Sequence, residues 1–253
     1  MKLKHLKVAG MLLMVCGLAA CGDDSRDAAV KVGKVVKGPV TGAKVFDKDN
    51  VDFATTDATG TFTIASRKGP FRTTGGTYLP LNANGTAGAA VAAPPMSAPE
   101  GFSQVTPLST LINSLPLPEQ AALTAKLATL GFTPATDLSV KSTANAGVLA
   151  LSESIGAVLQ SANANNVTGS AVTAMIVAVN GLTPPPTGVS LALTAVTSAV
   201  TNAINASTAL NNVATILTNV AATAAQGSNS LPNGALPTTG TTGGTGTGTG
   251  TGI

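Results

Sequence analysis

The side chains best suited to covalent or metal chemistry crowd into the first 21 of 253 residues: His5, Cys16 and Cys21 are the only histidine and cysteines. Beyond Cys21 there is no imidazole and no thiol. That excludes a histidine-based triad, a cysteine nucleophile, an ordinary zinc site and a disulfide framework from the rest of the chain. Asp47, Asp49, Asn50 and Asp52, in the run DKDNVD, form an acidic cluster. Calcium takes about six to eight oxygens, and such a loop supplies several. The EF-hand spacing fails at Val51, however, and no Glu follows at the closing position. A solvated hairpin turn is the plainer reading, and Asp47, Asp49 and Asp52 stand only as a weak calcium candidate. Ser109, and Ser152 and Ser154 on either side of Glu153, come nearest to nucleophiles. Without histidine they need a lysine, and Lys126 and Lys141 sit in no recognisable motif, so all three read as helix-surface residues. The glycines of Gly75–Thr77 are not followed by the Gly-Lys-Ser/Thr of a phosphate loop. No catalytic residue, cofactor or metal site is assigned, and no enzyme activity is expected.

Cys21 needs a different explanation. Lys2, Lys4 and Lys7 make a basic start, and Val8 to Ala20 carries no charge. Roughly thirteen residues span about 20 Å as a helix, too short for a ~30 Å hydrocarbon core. The length and flanks fit a signal peptide over residues 1–20. Leu18-Ala19-Ala20-Cys21 resembles the lipobox of bacterial lipoproteins. The resemblance implies a diacylglycerol on the Cys21 sulfur, cleavage before Cys21 and acylation of the new amine. Several acyl chains anchor stably where one is marginal. Gly22, rather than Asp, after the cysteine implies sorting to the outer membrane. Residues 21–29 then form the lipidated cysteine and a short tether. Removing residues 1–20 takes three lysines and leaves 11 basic against 11 acidic residues. The high isoelectric point therefore implies no basic patch, and nucleic acid is not an expected partner.

Residues 30–81 have the composition of strands. VKVGKVV alternates, and Val45, Phe46, Phe53, Phe62 and Ile64 lie in short β-branched and aromatic runs punctuated by Gly, Pro, Asp and Asn. Asp57–Gly60 is a turn between two runs, Phe62 and Ile64 share a face, and Tyr78 reads as a strand or rim residue. The segments GPVTGAKVF and ATTDATGTFTI resemble the carboxypeptidase-regulatory-like, prealbumin-type β-sandwich. Gly38, Val40, Gly42, Ala43 and Val45 match its first half, and Thr56, Asp57, Gly60, Phe62 and Ile64 its second. The resemblance covers about fifty residues and implies a fold, not a reaction. APEGF at Ala98–Phe102 is faintly similar to the terminal motif of self-cross-linking adhesin modules. It lies well beyond the hairpin, residues 30–81 contain no Glu, and no isopeptide bond is expected.

Residues 82–104, rich in Gly, Ala, Pro and Asn, read as a linker or long surface loop. Residues 105–226 read as helical. Thr106 suits an N-cap and Pro107 the first helical position of a short helix through Leu115. A second helix starts at Pro118, carries Leu123, Leu127 and Leu130, and stops at Gly131-Phe132. Val148, Leu151, Ile155, Val158 and Ala162 stripe a third. Val172, Met175, Ile176 and Val179 stripe a fourth, ended by Asn180-Gly181 and TPPPTG. From Ser190 to about Ala225 a seam runs through Leu193, Val196, Val200, Ala203, Ser207, Leu210, Val213, Leu217 and Val220. It fits one helix of roughly 50 Å, or two broken near Ala206–Thr208. Such a seam packs in a bundle or pairs with a copy, so a homo-oligomer is one reading. This helical region after a sandwich resembles an architecture of bacterial lipoproteins.

Residues 101–253 carry only Glu119, Lys126, Asp137, Lys141 and Glu153 as charges. Helix-face salt bridges are scarce, and the helices depend on packing or a partner. Residues 227–253, a Thr/Gly-rich tail, have no core former and are expected to be disordered. LPTTG at Leu236–Gly240 matches a sortase motif, but TG repeats follow it in place of an apolar stretch and basic end. The expected architecture is α+β as separate domains: a small antiparallel β-sandwich, an all-α helical domain and the tail. The expected function is that of a non-enzymatic envelope lipoprotein at the outer membrane, structural or adhesive through a protein or polysaccharide partner. The alternative is an accessory module docking a secreted enzyme or transport system.

Overall fold

The computed structural model describes residues 31–79, 88–139, 142 and 144–211. The expected signal peptide, Cys21, Lys141 and the Thr/Gly-rich tail lie outside the described residues, as do Val213, Leu217 and Val220 of the long seam. Antiparallel-rich sheets and helices make up a mixed α+β fold.

Six short strands come from the segment expected to be β: β1 (Val32–Val35), β2 (Lys44–Phe46), β3 (Asp52–Thr55), β4 (Thr61–Thr63), β5 (Phe71–Thr74) and β6 (Thr77–Tyr78). Three more, β7 (Val91–Ala92), β8 (Met96–Ala98) and β9 (Gln104–Val105), fall in or at the end of the stretch expected to be a linker. That expectation is corrected. One sheet has the order β4-β1-β9, the second β3-β2-β5-β8, and β6 pairs β7 in a two-stranded ribbon. The small residues of 88–105 suit strands laid close against a sheet, and β9 completes the first sheet by pairing parallel with β1. The reason β1 begins with an exposed valine is visible in its register. Val32 is exposed, while Gly33 opposite Phe62 is buried beneath the phenyl ring. Phe62 on the first sheet meets Phe53 and Phe71 on the second, with ring centroids 6.2 and 5.9 Å away.

The helices follow in order: α1 (Pro107–Asn113), α2 (Leu117–Thr129), α3 (Ala146–Ala164), α4 (Thr168–Gly181), α5 (Leu193–Ala206) and α6 (Thr208–Asn211). Thr106 and Ser109 form a reciprocal capping box at α1. At the end of α2, Gly131 adopts φ +98°. Its N–H donates to the Ala128 carbonyl, and the Phe132 N–H donates to that of Leu127, which satisfies carbonyls the helix leaves open. The whole expected stripe of α3 is buried. In α4 the buried face is Ala171, Ala174, Met175, Ala178 and Val179, rotated from the expected stripe. Val172 and Ile176 stay half-buried because the small alanines let the neighbouring helices approach more closely. The seam after Ser190 is broken at Ser207 into α5 and α6, the two-helix alternative. Val196, Val200 and Ala203 of that seam, with Ile204 beside them, are buried within the chain, where α5 packs on α3 and α4.

The expected division into separate domains is not borne out by the buried core. Val35, Val45, Phe62 and Phe71 of the strands belong to the same buried cluster as Leu108, Leu151, Met175 and Val200 of the helices. Helix α1 joins them: it packs on β8 and β9 on one side and on α3 on the other.

Candidate functional site

Lys37 follows β1 in the sequence VVKGPV and is only 3 % exposed. A buried ammonium requires a counter-charge. Glu153 on α3 supplies it, with Oε2 3.6 Å from Lys37 Nζ. The same ammonium sits 4.8 Å from the ring centroid of Tyr78 on β6. Tyr78 Oη donates to Gln160 Oε1 at 2.9 Å, and Gln160 Nε2 donates to the Ala92 carbonyl of β7 at 3.4 Å. Two turns of α3 thus grip β1, β6 and β7 through one polar cluster. Burial pushes the Glu153 carboxyl above its ordinary pKa, against the opposing pull of the Lys37 charge and the Gly38 N–H. The pair is closed on itself and offers no open face to a substrate. In the sequence Glu153 stands out only as a neighbour of two serines and as one of five charges in residues 101–253, and Lys37 not at all. A lone lysine between valines and a Gly-Pro corner was the available signal. Tyr78, expected as a strand or rim residue, lies on β6, and its hydroxyl ties that strand to α3.

The hydroxyls once weighed as nucleophiles are spent within the fold. Ser109 Oγ accepts from the Thr106 N–H and donates to the Ser97 carbonyl at 2.7 Å. Ser154 Oγ donates to the Ala150 carbonyl at 2.7 Å. Ser152 is buried. These serines are interior residues, which corrects their reading as helix surface. Lys126 approaches none of the three: its Nζ donates to the Leu182 carbonyl at 2.6 Å, capping the C-terminal end of α4.

A lysine and a serine do meet at a place not foreseen. Lys34 Nζ donates to Ser139 Oγ at 2.5 Å, and Ser139 Oγ donates to Asp137 Oδ1 at 2.5 Å. Asp137 also accepts from Gln104 Nε2 at 2.6 Å and lies 3.4 Å from Lys34. Burial works against the Asp137 carboxylate, but hydrogen bonds from Ser139 and Gln104 and the Lys34 charge outweigh it and hold its pKa low. The cluster is a staple that holds the 137–139 loop to β1 and β9.

The acidic loop is likewise self-contained. Asp47 is buried, accepts from the N–H groups of Asp49 and Val51 at 3.0 Å each, and takes Arg67 Nη1 at 2.7 Å. The Val51 bond first, and then Arg67, outweigh burial and lower its pKa. Asp49 pairs with Lys48 and Asp52 with Lys44. Three carboxylates each turned to a different cation do not converge on one ion. Among the described residues no group of acidic, His or Cys side chains gathers as a metal centre.

Beside the Lys37–Glu153 pair, α3 reaches Gly156. A β-carbon there would lie 2.8 Å from Pro107 Cγ and 3.3 Å from Lys37 Nζ. The glycine lets α3 and the start of α1 approach, and beyond them lies a cavity of about 240 Å³. Its wall is mostly apolar: Pro94, Pro95, Met96, Pro107, Leu159 and Val172. No sequence signal marked it, because its lining comes from four separate segments. No family model, curated protein or solved structure matches this chain.

Proposed function

We propose that the chain is a lipid-anchored protein of the bacterial outer membrane that works by binding, in a structural or adhesive role, and not by catalysis. The observation that carries the proposal is the run Leu18-Ala19-Ala20-Cys21 behind a basic and then apolar start. Placing this fold beside a membrane needs no spanning element, and among the described residues no helix is long and apolar enough to cross one. The non-catalytic reading is supported by Ser109, Ser154, Lys126 and the Lys34–Ser139 pair, each hydrogen-bonded to partners within the fold. We read the two sheets as a small sandwich of the carboxypeptidase-regulatory-like kind. The Phe53–Phe62–Phe71 contact between them supports that reading.

The test compares wild type with Cys21→Ala by membrane fractionation, and exposes intact cells to protease. Wild type is expected in the outer membrane, and Cys21→Ala in the soluble fraction. Shaving from intact cells then places the partner outside, and protection places it in the periplasm. Unchanged fractionation of Cys21→Ala removes the anchor and the localisation with it.

A further inference from the structure

We propose that the cavity between α1, α3, α4 and the Pro94–Met96 segment is a binding site for one uncharged hydrocarbon group of about eight carbons. At ~30 Å³ per small unit, a volume of 240 Å³ takes about eight of them. That is more than one aliphatic side chain fills. Four chain segments wall the space, so the end of a small molecule fits better than a length of polypeptide.

The wall decides the chemistry. No charged residue lines it, and the nearest ion pair, Lys37–Glu153, is already closed. A carboxylate or ammonium inside would find no counter-charge. The hydroxyls in the wall are already engaged. Thr110 Oγ1 donates to the Thr106 carbonyl at 2.8 Å and accepts from the Ser97 N–H at 2.9 Å. Ser114 Oγ donates to the Leu111 carbonyl at 2.7 Å. Asn163 and Thr168 line the cavity as exposed residues and mark its mouth, where a ligand hydroxyl or amide finds partners. Three prolines, whose φ is fixed, and the backbones of three helices resist collapse of the space. An apolar cavity that cannot collapse takes up hydrocarbon in preference to water. This deepens the binding role proposed above but does not depend on the anchor. Fractionation tests the anchor, and the experiment below tests the cavity.

The probes are the straight-chain alcohols from hexanol to dodecanol, titrated calorimetrically into the full chain carrying Cys21→Ala. Affinity is expected to rise about three- to fourfold per methylene, as burial of each predicts, and to level off near eight or nine carbons. Octanoate is expected to bind at least tenfold more weakly than octanol. Val172→Phe, which fills the cavity from α4, and Ser114→Leu, which fills it from the exposed C-cap position just after α1, should each weaken octanol at least tenfold. The proposal is overturned by any of four results: no saturable binding, affinity that keeps climbing through dodecanol, octanoate equal to octanol, or folded Ser114→Leu binding octanol like the parent. Because Ser114 is exposed, that variant keeps the test decisive even if Val172→Phe does not fold.

Discussion

At the scale of single residues, the most consequential choice is a charge pair placed where the rest of the core is apolar. Lys37 alone would be a buried, unpaired cation, and Glu153 alone a buried anion. Removing one partner from such a pair costs about 3 kcal/mol or more, whereas replacing both with apolar residues is often neutral. Lys37→Met should therefore destabilise the fold by about 3 kcal/mol, and Lys37→Met with Glu153→Leu should recover most of it, read by denaturant unfolding. The pH dependence has a definite sign. Glu153 has its folded pKa raised, so the fold binds its proton more tightly than the unfolded chain does. Its contribution is fully present below the unfolded value near 4.5 and is lost as pH rises through the folded value. Asp47, Asp57 and Asp137 are lowered and act in the opposite sense, losing their contribution as pH falls below about 3.8. Between pH 4 and 7, Glu153→Gln should gain stability relative to wild type as pH rises. A difference in Tm that stays flat over that range would contradict this account.

At the scale of elements, caps and close approaches matter more than propensity. The capping box at α1 satisfies an N–H of the first turn with Thr106 Oγ1 and the Thr106 N–H with Ser109 Oγ. Thr106→Ala should cost about 1 kcal/mol, with Tm falling by a few degrees. Gly147 on α3 is a harder constraint. A β-carbon there would come within 1.9 Å of the Leu191 carbonyl oxygen, a backbone atom that cannot rotate away. Gly147→Ala should destabilise far more than Thr106→Ala, despite the better helix propensity of alanine. If thermal melts ranked the two the other way, the packing of α3 on the 189–192 segment would be wrong. The caps were legible in the sequence, since Thr-Pro and Gly-Phe are local signals with local causes. The strands at 91–105 were not, because Ala, Pro and Met carry no period, and their pairing with β5, β6 and β1 is set by partners elsewhere in the chain.

At the scale of the whole molecule, the buried cluster runs unbroken from the strands to α5 and α6. Unfolding is expected as a single cooperative transition, with calorimetric and van't Hoff enthalpies in agreement. Two resolved transitions would restore the division into separate units. Charge is unevenly spread: five of the ion pairs in the described residues involve a cation from residues 34–67. The helical surface is mainly Thr, Ser, Asn and Ala, and its contacts should tolerate about 0.5 M salt.

The sequence by itself determined what depends on neighbours in the chain: the caps of α1 and α2, the Asp57–Gly60 turn and the lack of histidine and thiol chemistry beyond Cys21. Tertiary structure alone decided that Lys37 meets Glu153, that Lys34 meets Ser139 and that four segments enclose a cavity. Those pairs are separated by more than a hundred residues, and no period or motif encodes a contact that forms only when the sheets and helices close on one core. The same reason explains the rotated face of α4. Hydrophobic pattern ranks valine and isoleucine above alanine, but a packed interior selects by volume, and the alanines fit where the larger residues do not.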